Sequence, residues 1–167
     1  MSSYVDSEDP SSARLAGLAA RANSDLVFSY RWPNDQTQPG SFQVALRGSD
    51  FASQWPHNGY VVEFSPTSPT VSLIRRFHSV TTNTVSANAQ QDPTAKHWVR
   101  FQVQGSQIRF RTWLAGHTEP TGWNATYTDP APLAAGQTSF SILTENGSLD
   151  GPGNYVLVDD LTVRSLP

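Results

Sequence analysis

Residues 97–123, HWVRFQVQGSQIRFRTWLAGHTEPTGW, decide the fold. In residues 97–104, Val99, Phe101 and Val103 alternate with Trp98, Arg100, Gln102 and Gln104. In residues 107–113, Ile108, Phe110 and Thr112 alternate with Arg109, Arg111 and Trp113. Strict alternation of apolar and polar residues is the pattern of a half-buried strand. Only Gly105 and Ser106 separate the two runs. A loop of that length closes a tight antiparallel hairpin, and glycine accepts the positive φ such turns need. The reading is a hairpin with one apolar face and one face of arginine, glutamine and tryptophan. A short hairpin is unstable alone and its apolar face must be buried, so the rest of the chain has to supply a second layer.

The chain has 167 residues and no cysteine. That length is about one domain, and such a domain buries roughly 70% of its unfolded surface, enough for a core without metal or disulfide help. Charged residues are only 15% of the chain, while Thr, Ser, Val, Gly and Pro abound, which fits many strands joined by polar turns and leaves helix little room. The formal charge is −3, with acidic residues gathered in residues 1–10 and at Asp159–Asp160; no basic block points to nucleic acid. Without cysteine neither a disulfide framework nor a thiolate zinc site can form, and the redox compartment is left open. The stretch MSSYVDSEDPSS lacks the apolar core of a signal peptide, and no run reaches the ~18 apolar residues of a membrane helix. No membrane insertion is expected, and export would need a signal outside this chain.

Residues 1–12 read as a polar arm and 13–167 as a single domain. Residues 13–22, ARLAGLAARA, carry good helix formers but also alternate; strand is expected because the fold needs one there. Leu26, Phe28, Tyr30 and Trp32 share one face, and Phe42, Val44 and Leu46 continue the alternation after PNDQTQPG. Residues 47–58 read as a long exposed excursion, where binding residues collect. Tyr60, Val62 and Phe64 form the next strand, residues 71–80 another, and residues 81–96 a polar connection without periodicity. Beyond the hairpin come a Pro-rich link, a strand over 139–144, the loop ENGSLDGPGN and a last strand over 155–163 interrupted by Asp159–Asp160. About nine or ten short strands parted by turn signals are the pattern of an all-β sandwich or barrel.

The W-x-A-G-x-x-E-P-x-x-W run from Trp113 to Trp123, the G-x-x-x-x-x-I segment Gly136–Ile142 and the closing YVLVDDLTV of residues 155–163 carry a family likeness. Together they resemble the concanavalin A-like, laminin-G-like jelly-roll domains found at the ends of phage tail proteins and in secreted proteins of high-GC bacteria. The likeness covers residues 13–164. It implies an all-β, two-sheet antiparallel jelly-roll sandwich, mostly non-catalytic. Such a domain binds glycan on its concave face or rim loops, or serves as a structural module in an exposed fibre. Related jelly rolls hold structural calcium near both termini. Relatives usually carry a further N-terminal strand before the segment that Ala13 begins, so an open sheet edge is expected here, which a neighbouring subunit could cover.

Several residues are candidates for chemistry. Trp113 and Trp123 flank residues 116–122, and a reversal at Glu119–Pro120 can bring the indoles together, either as a platform for a pyranose or as a clamp on the hairpin. Trp55, His57 and Tyr60, with Gln54 and Asn58, lie in or beside the long loop and read as a sugar subsite; the other reading buries the tryptophan beneath the loop. Arg76 and His78 share one side of their strand, and Trp98, Arg100, Arg109 and Arg111 line the polar side of the hairpin. That is either a cationic or hydrogen-bonding groove suited to acidic glycans or bidentate hydroxyl contacts, or a set of arginines covering apolar surface and pairing across strands. Asp159 and Asp160 point to opposite sheet faces unless a bulge intervenes. A calcium site would join one of them to Asp6, Glu8 or Asp9, since calcium takes about six to eight oxygens; hydrogen bonding to loop amides is the alternative. Catalysis is the weakest case: a glycosidase needs two carboxyl groups about 5–9.5 Å apart across one groove, whereas Glu63 is the only glutamate inside a strand and Glu119 and Glu145 lie in turns. Motifs for a serine nucleophile, a zinc protease or a phosphate loop are missing. Asn124 and Asn146 open glycosylation sequons, both in turns that asparagine favours anyway.

The expectation is a non-catalytic, carbohydrate- or surface-binding domain of a phage virion or a secreted bacterial protein, extracellular or on the virion. Its partner is a glycan or cell-surface polysaccharide, with other virion subunits or a second copy as further partners, and no cofactor is required beyond an optional structural calcium. Two other readings stand: a purely structural virion or fibre subunit, and a glucanase-like hydrolase.

Overall fold

Strands β7 (His97–Gln104) and β8 (Gln107–Leu114) form the hairpin, with Phe101 opposite Phe110 and Val103 opposite Ile108. This is a computed structural model, and it describes residues 11–14, 19–32, 40–51, 56–90, 92, 94–144 and 156–167. Gly105 closes the turn at φ 57°. Val99, Phe101, Val103, Ile108 and Phe110 are fully buried, so the apolar face of the hairpin is interior.

Nine further strands complete the described architecture: β1 (Ser11–Arg14), β2 (Ser24–Arg31), β3 (Gly40–Ser49), β4 (Asn58–Phe64), β5 (Thr70–Phe77), β6 (Val80–Asn88), β9 (Ala125–Thr128), β10 (Gln137–Thr144) and β11 (Leu157–Ser165). They make a six-stranded sheet in the order β1-β10-β3-β4-β5-β6 and a five-stranded sheet in the order β11-β2-β7-β8-β9. All pairings are antiparallel, and no described residue is helical. The core lies between the sheets. Leu26, Phe28 and Tyr30 from β2 meet Phe42, Val44 and Leu46 from β3 and Tyr60, Val62 and Phe64 from β4. Phe28 stands edge-on to Phe42, Phe64 and Phe140 at centroid distances of 6.1, 6.5 and 5.7 Å, a geometry that adds to the free energy of burying the rings. Polar links cross the same interior. The Tyr60 hydroxyl donates to Asp129 at 2.7 Å and accepts from the Leu133 amide at 3.0 Å, and the Tyr30 hydroxyl donates to the side chain of the fully buried Gln90.

The structure corrects several expectations. Residues 71–80 are not one strand: His78 and Ser79, at φ 50° and 65°, form a tight turn between β5 and β6. Residues 81–88, read as part of a polar connection, belong to the edge strand β6. Only Asn83, Val85 and Ala87 turn their half-buried side inward there, so the alternation is too weak to register as hydrophobic. The excursion expected over 47–58 is shorter, because β3 runs to Ser49 and Arg47 is buried at 4% exposure. Of the strand expected over 13–22, Ala13 and Arg14 belong to β1, which pairs with β10 at the sheet edge. Ala19 and Ala20 are outside any strand, and Arg21 makes an isolated bridge to Gly136.

Candidate functional site

The hairpin register determines what stands on the outer face of the five-stranded sheet. Three rows cross it: Asp159, Ser29, Trp98 and Trp113; then Thr162, Val27, Arg100 and Arg111; then Arg164, Asp25, Gln102 and Arg109. In the first row the indoles of Trp98 and Trp113 lie 6.1 Å apart and nearly parallel, at 10°, with the Lys96 ammonium 5.8 Å from the Trp98 ring. Trp123 does not join Trp113, as the spacing of the two tryptophans allowed. It lies under the guanidinium groups of Arg109 and Arg111, 4.5 and 4.3 Å from its ring. The sequence did hold the signal for the true pair: a two-residue loop at 105–106 puts 98 directly opposite 113.

Arg100, Arg109 and Arg111 are occupied. Arg100 grips Asp25 through both carboxylate oxygens, at 2.8 and 2.5 Å, and Glu119 at 3.1 Å. Arg111 pairs with Glu119 and donates to the Thr121 carbonyl at 3.1 Å. Arg109 donates to Gln102 at 3.1 Å, and Gln102 donates to Asp25 at 2.8 Å. Burial pushes Asp25 up, but the hydrogen bonds from Arg100 and Gln102 outweigh it and hold the carboxyl below its ordinary range. The bond to Asp25 raises Arg100 in turn. A planar guanidinium fork held bidentately in this way is a fixed part of the wall.

Between Asp159 and Thr162 the β11 register shifts, two residues standing against one on β2, and Asp160 takes φ 56°. This bulge turns Asp160 onto the same outer face as Asp159. Its carboxylate accepts from Lys96 and from Ser29, each at 2.9 Å, and these two contacts, Lys96 first, lower its pKa. Asp159 accepts the Asp160 amide at 2.8 Å. A hollow of about 710 Å³ results, lined by Asp25, Trp98, Arg100, Glu119, Asp159 and Asp160 together with Val27, Leu161, Thr162 and Arg164. A smaller one of about 230 Å³, lined by Ser29, Tyr30, Arg31, Lys96, Leu157 and Asp159, adjoins it. Asp159 lines both.

Of the residues singled out in the sequence, the structure gathers Trp98, Arg109, Arg111, Trp113, Asp159 and Asp160 on this one face. The cationic groove is corrected: among the lining residues the four carboxylates outnumber Arg100 and Arg164. Tyr60 is removed from any surface site, being 0% exposed and bonded within the core. His57 and His78 lie elsewhere, at the turn end of the six-stranded sheet. There the Ser79 amide donates to the His57 carbonyl at 2.8 Å, the His78 amide donates to Asn58 at 2.9 Å, and His57 contacts Asp50 at 3.2 Å. His78 therefore does not share a strand face with Arg76, which stays on β5; its ring stacks on Phe77 at 4.1 Å. Trp55 lies outside the described residues. Asp25, Lys96, Glu119 and Arg164 were missed. Asp25 was legible only as the first residue of the polar half of β2, and its pairing with Arg100 depends on which strands become neighbours.

The calcium site expected from one of Asp159 and Asp160 turns on the acidic residues of the N-terminal arm. Asp160 already holds an ammonium group, and among the described residues no three His, Cys, Asp or Glu come together as metal ligands. Asp6, Glu8 and Asp9 lie outside the described residues. Asn124 is turn chemistry: its side-chain oxygen accepts the Thr112 amide at 2.7 Å. Asn146 lies outside the described residues.

The opposite surface differs. On the outer side of the six-stranded sheet Gln43, Ala45, Val61, Ser139 and Ser141 are 3, 4, 0, 1 and 3% exposed, so its centre is covered within the folded chain. Glu63, on that side, accepts a hydrogen bond from Gln43.

Two antiparallel sheets with this strand order define a jelly-roll β-sandwich of the concanavalin A and galectin kind. Neither a protein-family model nor a curated protein sequence matches the chain. Solved structures do match. The carbohydrate-binding module CBM66 from Bacillus subtilis superposes with a TM-score of 0.69 at 11% identity, over 96% of this chain and 84% of that one. A Bacillus licheniformis beta-glucanase gives 0.60 at 14% identity, over 90% and 69%. Sheep galectin-11 in complex with glycerol gives 0.58 at 7%, over 96% and 100%. At these identities the likeness is one of fold.

Proposed function

We propose that this domain binds a glycan of neutral sugars on the outer face of its five-stranded sheet, and that it does so without catalysis. The observation that carries this reading is the Trp98–Trp113 stack set in the same row as Asp159 at the mouth of the hollow. Indoles offer a flat apolar surface to a pyranose ring, and carboxylates fixed beside them accept hydrogen bonds from its hydroxyls. An acidic sugar meets more carboxylate than free guanidinium here, which disfavours it. The shared fold with a carbohydrate-binding module supports the same reading. Hydrolysis is disfavoured because a glycosidase needs a carboxyl whose pKa is raised to serve as proton donor. Of the carboxylates lining the hollow, Asp25 and Asp160 are held low instead. A phage tail or fibre, or a secreted bacterial protein, extracellular or on the virion, is the setting in which such a surface meets cell-wall or capsular polysaccharide, and the proposal extends to it.

The test is affinity electrophoresis of the chain in gels containing neutral, amine-bearing and acidic polysaccharides, with Trp98→Ala and Trp113→Ala alongside. Retardation by a neutral polysaccharide, weakened about tenfold or more by either substitution, is the expected result. Retardation by acidic polymers alone, or retention unaffected by both substitutions, refutes it.

A further inference from the structure

The two hollows follow one another along β2. The larger takes Asp25 and Val27 from that strand and, opposite them, Arg164 and Thr162 from β11; the smaller takes Ser29 and Arg31 and, opposite Arg31, Leu157. Asp159 is a wall of both. From Asp25 to Arg31 the resulting trough runs ~20 Å, at ~3.3 Å per residue of strand, and a single sugar fills only part of that length. One ion pair interrupts it. The Lys96 ammonium, from the lead-in to β7, reaches over β2 to the Asp160 carboxylate in the β11 bulge at 2.9 Å, on the same oxygen that accepts from Ser29. Asp160 lines the larger hollow and Lys96 the smaller, so the pair lies across the trough where the two meet. Its side chains are 40 and 41% exposed, and ion pairs so exposed hold weakly. Lys96 is also the only lysine in the chain, every other of its 11 Lys and Arg residues being arginine. An arginine at this place would grip the carboxylate with a planar fork, as Arg100 grips Asp25. An ammonium on a flexible stem is a strongly hydrated point charge that releases readily.

Resting on the reading of this face as a glycan site, we infer that it takes an internal run of a linear polysaccharide, laid along β2 through both hollows, and that the Lys96–Asp160 pair is a strap the sugar chain displaces. A chain end that stopped at the closed strap would leave Ser29, Arg31 and one side of Asp159 unused, although these continue the polar lining beyond it. Once Lys96 lets go, Asp160 is still anchored by Ser29, and its remaining lone pairs accept from a sugar hydroxyl. Length past the strap is therefore what the site rewards, and opening the strap is the cost that every long ligand meets.

Calorimetric titration of the full chain with oligosaccharides of laminarin, mannan and xylan, from disaccharide to hexasaccharide, tests this beside gels holding the parent polymers. For a polymer that retards the chain, the hexasaccharide should bind about tenfold or more tighter than the disaccharide. The two strap variants should move hexasaccharide binding in opposite directions: Lys96→Met, with no strap, tightens it about threefold, and Lys96→Arg, with a firmer one, weakens it about fivefold. A further measurement needs no variant: salt screens an exposed ion pair, so these uncharged hexasaccharides should bind more tightly as salt rises. No retardation by any neutral polymer removes the glycan reading and this inference with it. Retardation by a polymer whose hexasaccharide binds no tighter than its disaccharide, or hexasaccharide binding weakened by Lys96→Met, overturns the strap alone and leaves the glycan site standing.

Discussion

Arg47 is a cation placed where the interior offers it mostly carbonyls. It is 4% exposed, takes φ 53°, and donates to the carbonyls of Ala22, Leu133 and Gly105 at 2.6, 2.7 and 2.9 Å. Those three carbonyls belong to the lead-in to β2, the link before β10 and the central turn, so one side chain ties three connections to β3. Replacing it with methionine fills much of the volume but leaves the carbonyls without donors, at about 1–3 kcal/mol for a buried group. Arg47→Met is expected to lower stability by about 3–5 kcal/mol in urea denaturation; an unchanged midpoint would mean the carbonyls find other partners. Two carboxylates set the acid limit. Burial raises Asp25 and Asp129, and hydrogen bonds from Arg100 and Gln102 to the first, and from Tyr60 and Arg75 to the second, more than offset it. A carboxyl that is lower folded than unfolded contributes stability fully above its unfolded value, about 3.9, and loses it as pH falls through the folded value. Stability should hold down to about pH 4 and drop steeply below it. Asp129→Asn should lower neutral stability and flatten that acid limb, so a variant as acid-sensitive as the parent counts against the assignment. The same carboxylate, after burial, pushes the Tyr60 hydroxyl up to about 12.

At the scale of strands, the approach of β10 to β3 leaves room for nothing larger than a hydrogen at Gly136. A Cβ there would lie 2.4 Å from the Arg47 carbonyl carbon and 2.6 Å from the carbonyl oxygens of Arg47 and Gly48. All three are backbone atoms, so relief requires the strands to part. Gly136→Ala should cost about 3 kcal/mol or more, read as a fall in thermal midpoint, whereas Gly122→Ala, with nothing within 4 Å of its Cβ, should leave it unchanged. Equal behaviour of the two would contradict the close approach. Strands β2, β3, β4, β7 and β8 could be read directly because each sends large apolar residues into the core at every second position. Strand β6 could not: its inward residues are Asn83, Val85 and Ala87, and the turn before it uses His78 and Ser79 where glycine or asparagine would have announced it. The proposed binding face was half legible for a related reason. Local alternation puts Trp98, Arg100, Arg109, Arg111 and Trp113 on one side of a hairpin, but the carboxylates that pair with Arg100 and Arg111 come from β2 and from the turn at Glu119. Which strands become neighbours is a property of the whole sandwich.

For the molecule as a whole, the proposed site stands on a sheet whose other face is the core, and Asp25, Lys96, Arg100, Arg111, Glu119 and Asp160 are already held in ion pairs. A ligand arriving there has little to order, so its binding free energy should appear as stability of the folded chain. At a free ligand concentration about one hundred times the dissociation constant, linkage gives about 2.7 kcal/mol. For a domain of this size each kcal/mol moves the melting temperature by about 2–4 °C, so a rise of roughly 5–10 °C is expected with a saturating glycan. Trp98→Ala and Trp113→Ala remove only half-buried rings; they should melt near the parent without ligand and respond little to it. His57→Ala and His78→Ala alter the far end of the other sheet and should shift as the parent does. A shift that survives both tryptophan substitutions but vanishes with the histidines would move the site to the β5–β6 turn, where Phe77 and Val80 are 41 and 61% exposed, and would end the case for the five-stranded face.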